Sequence, residues 1–314
     1  MPKSMPSDNT LNRDGDKVLV DVGGVGSSLG EGDFASLQER PTAFRDGLLA
    51  GRIALVSGGG SGIGKATSWL LARLGATVVI CGRSRVKLES VREAAEKYGH
   101  KLEAIAMDIR DPQQVEQMFE EVYGRFGGLN LLINSAGGQF PKAALDLSVN
   151  GWNAVVDTNL NGTWHMMQRA ARMWRDRGRS GSVVNIVAVV ERGMLGAAHN
   201  CAARAGVIYL SKTVAVEWAP LNIRVNCIAP GTILTEGMRS YPEEVQTTFR
   251  RSNPMLRLGD PWDIAEACVY IGTSSGNFIT GELLAVDGGG QLWGEVWTAG
   301  KPDYFGKSVW ADDE

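Results

Sequence analysis

The chain is poor in the residues that build metal centres and disulfide frameworks. It has three histidines and four cysteines in 314 residues, and neither type clusters. Cys81, Cys201, Cys227 and Cys268 form no C-x-x-C, and His100, His165 and His199 share no ligand spacing with cysteine or carboxylate. No metal is therefore expected. Secreted disulfide scaffolds are short and dense in cysteine, so these thiols are expected to be reduced, in a cytoplasm. An excess of basic charge is also missing: 32 Lys and Arg face 35 Asp and Glu, for a net charge of -3. That balance leaves no footprint for nucleic acid or for an anionic membrane. No apolar run approaches the ~20 residues that a membrane span needs. The two ends show neither a basic-then-apolar signal pattern nor a peroxisomal address, so a cytoplasmic protein is expected. What is present is ordinary for a globular chain, 44% hydrophobic and 21% charged, enough to bury a real core.

Residues 1–46 are rich in Gly, Asp and Ser, with one apolar burst at Val18-Leu19-Val20. Such a composition predicts a mostly extended or disordered arm. From Gly51 onward short apolar runs alternate with helical stretches. The runs are Ile53–Val56, Thr77–Ile80, Leu102–Ala106, Leu129–Ile133, Val183–Val187, Ile223–Ile228 and Leu283–Val286. Runs that are continuously apolar are buried on both faces, which predicts parallel strands joined by helices. The stretch 150–176 repeats Trp152, Val155, Val156, Leu160, Trp164, Met167, Ala171 and Trp174 at helical steps. The expectation is one α/β domain over 47–290, a doubly wound Rossmann-type sheet of seven parallel strands. An aromatic tail follows at 291–314, with Trp293, Trp297, Tyr304, Phe305 and Trp310. So many rings in one short segment are expected to line an acyl pocket, fold back on the domain, or cover a neighbouring subunit.

The first strand leads into Ser57-Gly58-Gly59-Gly60-Ser61-Gly62-Ile63-Gly64. Glycines between a strand and a helix let backbone approach a pyrophosphate, and the helix start at Ile63 offers free N–H groups and a positive dipole. Dinucleotide sites selective for NAD place a carboxylate ~20 residues further on, at the end of the second strand. Here that strand ends Cys81-Gly82-Arg83-Ser84, without a carboxylate. A guanidinium pairs with a phosphate where a carboxylate would repel it, so Arg83 points to NADP(H).

Together with Asn134-Ser135-Ala136-Gly137 after the fourth run, Gly181–Ile186, the string His199-Asn200-Cys201-Ala202-Ala203-Arg204-Ala205-Gly206-Val207 and Pro230-Gly231, these segments resemble the short-chain dehydrogenase/reductase family. The resemblance implies further cofactor contacts. Asp108 and its neighbour Ile109 would hold the adenine edge, and Asn134, Ala136 and Gly137 would lie under the cofactor. Pro230, Gly231 and Ile233 would meet the nicotinamide carboxamide. It also implies a catalytic Asn, Ser, Tyr and Lys, of which only the Asn, at Asn159, is present. The serine position falls on Ala188 or Val187, the Tyr on Asn200 and the Lys on Arg204. Indeed no tyrosine anywhere in the chain precedes a lysine by four residues.

Gly137-Gly138-Gln139-Phe140, the Ala-Ala-Arg-Ala-Gly-Val string, Glu217-Trp218-Ala219 and Phe278-Ile279-Thr280-Gly281 are most similar to the trans-2-enoyl-CoA and 2,4-dienoyl-CoA reductases of that family. What this implies is NADPH-dependent reduction of the carbon-carbon double bond of an acyl thioester, in a homotetramer. An amide can polarise a substrate oxygen but cannot hand it a proton, and an arginine can still donate to ribose. Asn159, Asn200 and Arg204 are the candidate catalytic residues, Arg204 also touching cofactor. His199 is read either as a further donor or as a helix cap. Two other readings stand beside this one. One is an alcohol or carbonyl oxidoreductase for hydrophobic substrates, with Tyr209 or a tail phenol such as Tyr304 as acid, although Lys212 follows Tyr209 by only three residues. The other is a non-catalytic NADP(H)-binding subunit.

Overall fold

Seven short runs of β-branched and aliphatic residues form one sheet: Ile53–Ser57 (β1), Thr77–Gly82 (β2), Leu102–Ala106 (β3), Leu131–Asn134 (β4), Gly181–Ile186 (β5), Ile223–Pro230 (β6) and Leu283–Val286 (β7). The computed structural model describes residues 34–240 and 248–293. The strand order is β3-β2-β1-β4-β5-β6-β7 and every pairing is parallel. Between β1 and β4 the winding reverses, and in open α/β sheets the crevice at the strand ends beside such a reversal is the place for a ligand.

The helices are Phe34–Glu39 (α1), Gly62–Arg73 (α2), Arg85–Lys97 (α3), Pro112–Phe126 (α4), Val149–Val156 (α5), Thr163–Asp176 (α6), Ala198–Trp218 (α7) and Pro261–Gly272 (α8). One core layer sets α2, α3 and α8 against the sheet through Trp69, Leu70, Leu88, Val91, Trp262 and Ile264. The other sets α4, α6 and α7 against the opposite face through Phe119, Val122, Met166, Met167, Trp174 and Val214. Aspartates start two of these helices: Asp111 accepts N–H bonds at α4, and Asp260 forms a reciprocal capping box with Asp263 at α8. No helix among the described residues is long and apolar enough to cross a membrane.

Two expectations need correction. The predicted helix over 150–176 is interrupted by a π-helical turn, Asp157–Gly162, which carries Asn159. Ile109 is wedged into that turn against Gly162, where an added Cβ would lie 2.7 Å from its Cγ1. The predicted arm is also ordered in its last third. In α1, Phe34 packs on Trp69 with ring centroids 5.0 Å apart, and Leu37 is fully buried. Arg73 donates to the Leu37 and Arg40 carbonyls, Trp262 Nε1 donates to Pro41, and Arg40 pairs with Asp260 at 2.9 Å. Two apolar residues three apart suffice to dock so short a helix, a signal that a polar stretch of 46 residues dilutes. Residues 1–33 of that arm, and the aromatic tail from 294 onward, lie outside the described residues.

Candidate active site

The turn from β1 to α2 can be built only with glycine at two of its positions. Gly58 has φ 73° and an added Cβ would sit 2.8 Å from the Ala136 backbone; at Gly64 it would meet the Gly58 carbonyl oxygen at 2.1 Å. Ser57 Oγ accepts from the Ala136 N–H at 3.2 Å, which ties this loop to the end of β4. The Ser61 hydroxyl caps none of the first N–H groups of α2. Those groups, from Gly62 through Ile63 to Gly64, stay open at the positive end of the helix dipole. Arg83 leaves the end of β2 exposed, without hydrogen bond or ion pair to the described residues, beside α3 whose cap is Ser84. Asp108 receives Arg110 Nε on both carboxylate oxygens, at 3.0 and 2.9 Å, and this hydrogen bonding holds its carboxyl below the usual range.

On the other side of the crevice, Gly231 donates to the Val286 carbonyl at 3.0 Å and leaves no room for a Cβ, which would lie 2.7 Å from Asp287 Cα. Pro230 closes β6 beside it. Thr232 and Leu234 exchange backbone bonds with Gly259, so Ile233 between them keeps its own N–H free. Asn134 differs from its neighbours Ala136 and Gly137: its amide is turned into the core, donating to Asn185 at 2.8 Å. Asn185 donates in turn to Ser211, which also receives the Cys227 thiol. Burial pushes that thiol up to about 11. This buried polar chain links β4, β5, β6 and α7 directly beneath the crevice.

At its centre, the π-helical turn aims Asn159 at the loop after β4. Asn159 Nδ2 donates to the Gly138 carbonyl at 2.9 Å and its Oδ1 accepts from the Gly138 N–H at 3.0 Å. Nδ2 also donates to Asn200 Oδ1 at 2.8 Å. With its oxygen so engaged, Asn200 keeps its Nδ2 hydrogens as the free end. One turn further along α7, Arg204 lies against Gly137, where an added Cβ would fall 2.1 Å from a guanidinium nitrogen. Arg204 is only 8% exposed and makes no hydrogen bond or ion pair with the described residues. Its burial pushes the guanidinium down to about 10. A buried cation without an acceptor among the described residues is costly, which makes the Arg204 guanidinium a candidate to meet an acceptor on a ligand.

The structure brings Asn159, Asn200 and Arg204 together; it does not bring Tyr209. That side chain is 74% exposed, five residues along α7 from Arg204 and so on another face of the helix. The expected acid of a carbonyl reduction is thus corrected to a surface residue. His199 is fully buried, and the geometry leaves both expected parts open, with Nδ1 acting as a cap and Nε2 buried without a partner among the described residues. Nδ1 accepts the Asn200 N–H at 2.9 Å at the start of a helix whose N-cap, Ala197, has no side-chain bond. The Phe140 ring meets the imidazole edge-on at 4.7 Å. Val187 and Ala188, at the end of β5, offer no donor side chain. Sequence reasoning missed two features: the Asn185–Ser211–Cys227 chain, flagged only by an asparagine inside an apolar strand, and an ion pair of Lys65 with Glu236 at 3.1 Å.

The glycine cradle, the open N-terminus of α2, the free Ile233 N–H and the unpaired Arg204 fit a dinucleotide lying across the strand ends. The comparisons agree. A family model described as enoyl-(acyl carrier protein) reductase matches residues 58–291. A probable 2,4-dienoyl-CoA reductase of Bacillus subtilis is 36% identical over 246 residues, 77% of this chain and 97% of the relative. The peroxisomal 2,4-dienoyl-CoA reductase of Mus musculus is 37% identical over 271 residues, 83% and 91% of the two chains. A 3-oxoacyl-acyl-carrier-protein reductase of Thermotoga maritima is 34% identical over 242 residues, 77% and 98%. Among solved structures, a citronellol catabolism dehydrogenase of Pseudomonas aeruginosa PAO1 superposes with a TM-score of 0.72 at 33% identity, covering 80% of this chain and all of the other. The chain belongs to the short-chain dehydrogenase/reductase family, and is an oxidoreductase that works with a nicotinamide cofactor.

Proposed function

We propose that this protein reduces the carbon-carbon double bond of an enoyl thioester, of the trans-2-enoyl-CoA kind, with NADPH as reductant. The observation that carries the reading is the buried, unpartnered Arg204 guanidinium beside the free Nδ2 end of Asn200, with Asn200 and Ala188 where the family resemblance puts the tyrosine and serine. When bound, the cofactor supplies a hydride. Conjugate addition places negative charge on the thioester oxygen, and stabilising an enolate needs oriented donors and positive potential rather than a proton on oxygen. Asn200 Nδ2 is the donor to that oxygen. Asn159 holds Asn200 in place by donating to its Oδ1, and is itself held on both sides by Gly138. Arg204 supplies charge to the same region and donors to the ribose, in the position where the family resemblance puts a lysine. Water delivers the proton at carbon. Arg83, exposed and unpaired at the end of β2, is the ligand for a 2′-phosphate.

The dienoyl-CoA reductases among the relatives support an acyl-thioester substrate. The four free thiols suit a reducing cytoplasm, and the outward Tyr209 and Val216 on α7 suit a subunit face in a homotetramer. The 3-oxoacyl reductases among the relatives favour a second reading, reduction of a carbonyl. That reaction needs an acid at oxygen; Tyr209 is exposed on another face of α7, and the tail phenol Tyr304 lies outside the described residues. The test is purified protein with NADPH and a series of trans-2-enoyl-CoA esters, with 3-oxoacyl-CoA esters in parallel. The expected outcome is NADPH consumption with the enoyl series. Consumption with the 3-oxoacyl series alone favours the second reading, and cofactor binding without turnover on either series overturns both.

A further inference from the structure

Lys65 is the fourth residue of α2, directly after the glycine loop, and it is only 4% exposed. A cation in the first turn of a helix opposes the macrodipole, and a buried ammonium requires a partner. That partner comes from far along the chain. Lys65 Nζ lies 3.1 Å from Glu236 Oε1, with the Phe34 ring centroid 5.7 Å away. Lys87, in the first turn of α3, places its Nζ 4.0 Å from the other oxygen of the same carboxylate.

Glu236 ends the segment that begins at Pro230 and Gly231. The segment is anchored near its start, where Leu234 donates to the Gly259 carbonyl at 2.8 Å and Gly259 donates to Thr232 at 2.9 Å. It then passes over the glycine turn: a Cβ added at Gly62 would lie 3.4 Å from the Thr235 methyl. Beyond that crossing, the Glu236 carboxylate is bound to the helix that starts at the same turn.

We infer that Glu236 is a positioning residue for the cofactor. Paired with Lys65, it clamps residues 232–236 across the glycine loop and so governs how long a bound dinucleotide stays. This rests on the glycine loop being the pyrophosphate site. The clamp joins the two halves of the crevice, the open N-terminus of α2 and the free backbone at Ile233, into one enclosure. Both halves then hold the ligand together, and opening either releases it.

The experiment measures NADPH and, in parallel, NADH binding by nicotinamide fluorescence, with release followed by stopped flow. Thermal unfolding of each cofactor-free variant is recorded beside it. Losing one charge-assisted pair in the clamp, in Glu236→Gln or Lys65→Met, is expected to speed release about tenfold. The loss should fall on the cofactor KM more than on kcat. Because both substitutions break one interaction, the double variant should release no faster than the faster single one. Unchanged release in Glu236→Gln, or single effects that multiply in the double variant, overturns the inference. Should Lys65→Met not fold, Glu236→Gln alone decides, since its carboxylate lies on the accessible side of the pair. Wild-type protein that binds neither dinucleotide overturns the pyrophosphate assignment itself, an outcome distinct from faster release.

Discussion

In the proposed function, Arg83 is the side chain on which cofactor choice turns. It stands exposed where an NAD-selective site would carry a carboxylate, and makes no hydrogen bond or ion pair with a described residue. Replacing it by Asp removes a charge-assisted phosphate pair and adds repulsion, which is expected to weaken NADPH binding by about 2–4 kcal/mol while sparing NADH. Titration of both cofactors against wild type and Arg83→Asp checks this, and equal NADPH affinity in the two proteins removes Arg83 from the site. In the proposed function Asn200 makes a different contribution, because its oxygen is held by Asn159 and its nitrogen is the donor proposed for substrate. Asn200→Ala is expected to lower turnover on the enoyl substrate by ~10²-fold, as loss of one oxyanion donor does elsewhere. Cofactor affinity should change little. Steady-state rates and cofactor titration on the same variant separate the two effects.

Among the elements, α1 was invisible in composition, yet it closes one end of the core. Leu37 is fully buried in the core cluster that also holds Trp69 and Trp262, with α1 packed on α2. Leu37→Ala is expected to cost about 2–4 kcal/mol of stability, read as a lower midpoint in chemical denaturation. A wild-type midpoint would mean that α1 does not dock in solution. The π-helical turn has the opposite character, since its part is placement rather than burial. A regular α-helix through 157–162 would rotate Asn159 away from Gly138. The loop after β4 shows how tightly this placement is set. Gly137→Ala puts a methyl where an Arg204 nitrogen lies, at 2.1 Å, so the guanidinium must move. That variant is expected to bind cofactor at least tenfold more weakly, by the loss of oriented charge-assisted bonds to ribose. Titration checks it against a wild-type fold by circular dichroism.

For the molecule as a whole, the four free thiols divide into one partly accessible and three buried. Burial pushes Cys81 and Cys268 up to about 12 and Cys227 up to about 11. These folded-state values lie above that of an unfolded thiol, so the stability they confer is complete below pH ~9 and is lost as pH rises through the folded values. Arg204 acts with the opposite sign. Its folded value of about 10 is below that of a free guanidinium, so the cost of burying its charge is relieved at higher pH. With three thiols against one guanidinium, the net expectation is falling stability above pH ~9, measured by denaturant titration across pH. In the native state only Cys201 should react rapidly with a thiol reagent, and all four should react once the protein is unfolded.

Much of this architecture was legible in one dimension. Continuous apolar runs at βαβ spacing specify a doubly wound parallel sheet, because strands buried on both faces carry their signal locally. The glycine loop is legible in part for the same reason, since the positive φ of Gly58 and the contact of Gly64 with the Gly58 carbonyl arise within one strand-turn-helix unit, whereas the approach of Gly58 to Ala136 does not. Asn159, Asn200 and Arg204 could be named as candidates from the resemblance to the family's catalytic pattern. Their condition could not. Whether Arg204 has a partner, whether Tyr209 faces the crevice and which end of the Asn200 amide is free depend on groups far apart in the chain: Gly137 beside Arg204, Gly138 and Asn200 on either side of Asn159. The docking of α1 on Trp69 and the pairing of Lys65 with Glu236 are decided in the same way. Local sequence sets backbone conformation and the period of burial. Hydrogen-bond satisfaction and charge pairing belong to neighbours that only the folded chain brings within reach, and those pairings turn a cofactor scaffold into a particular site.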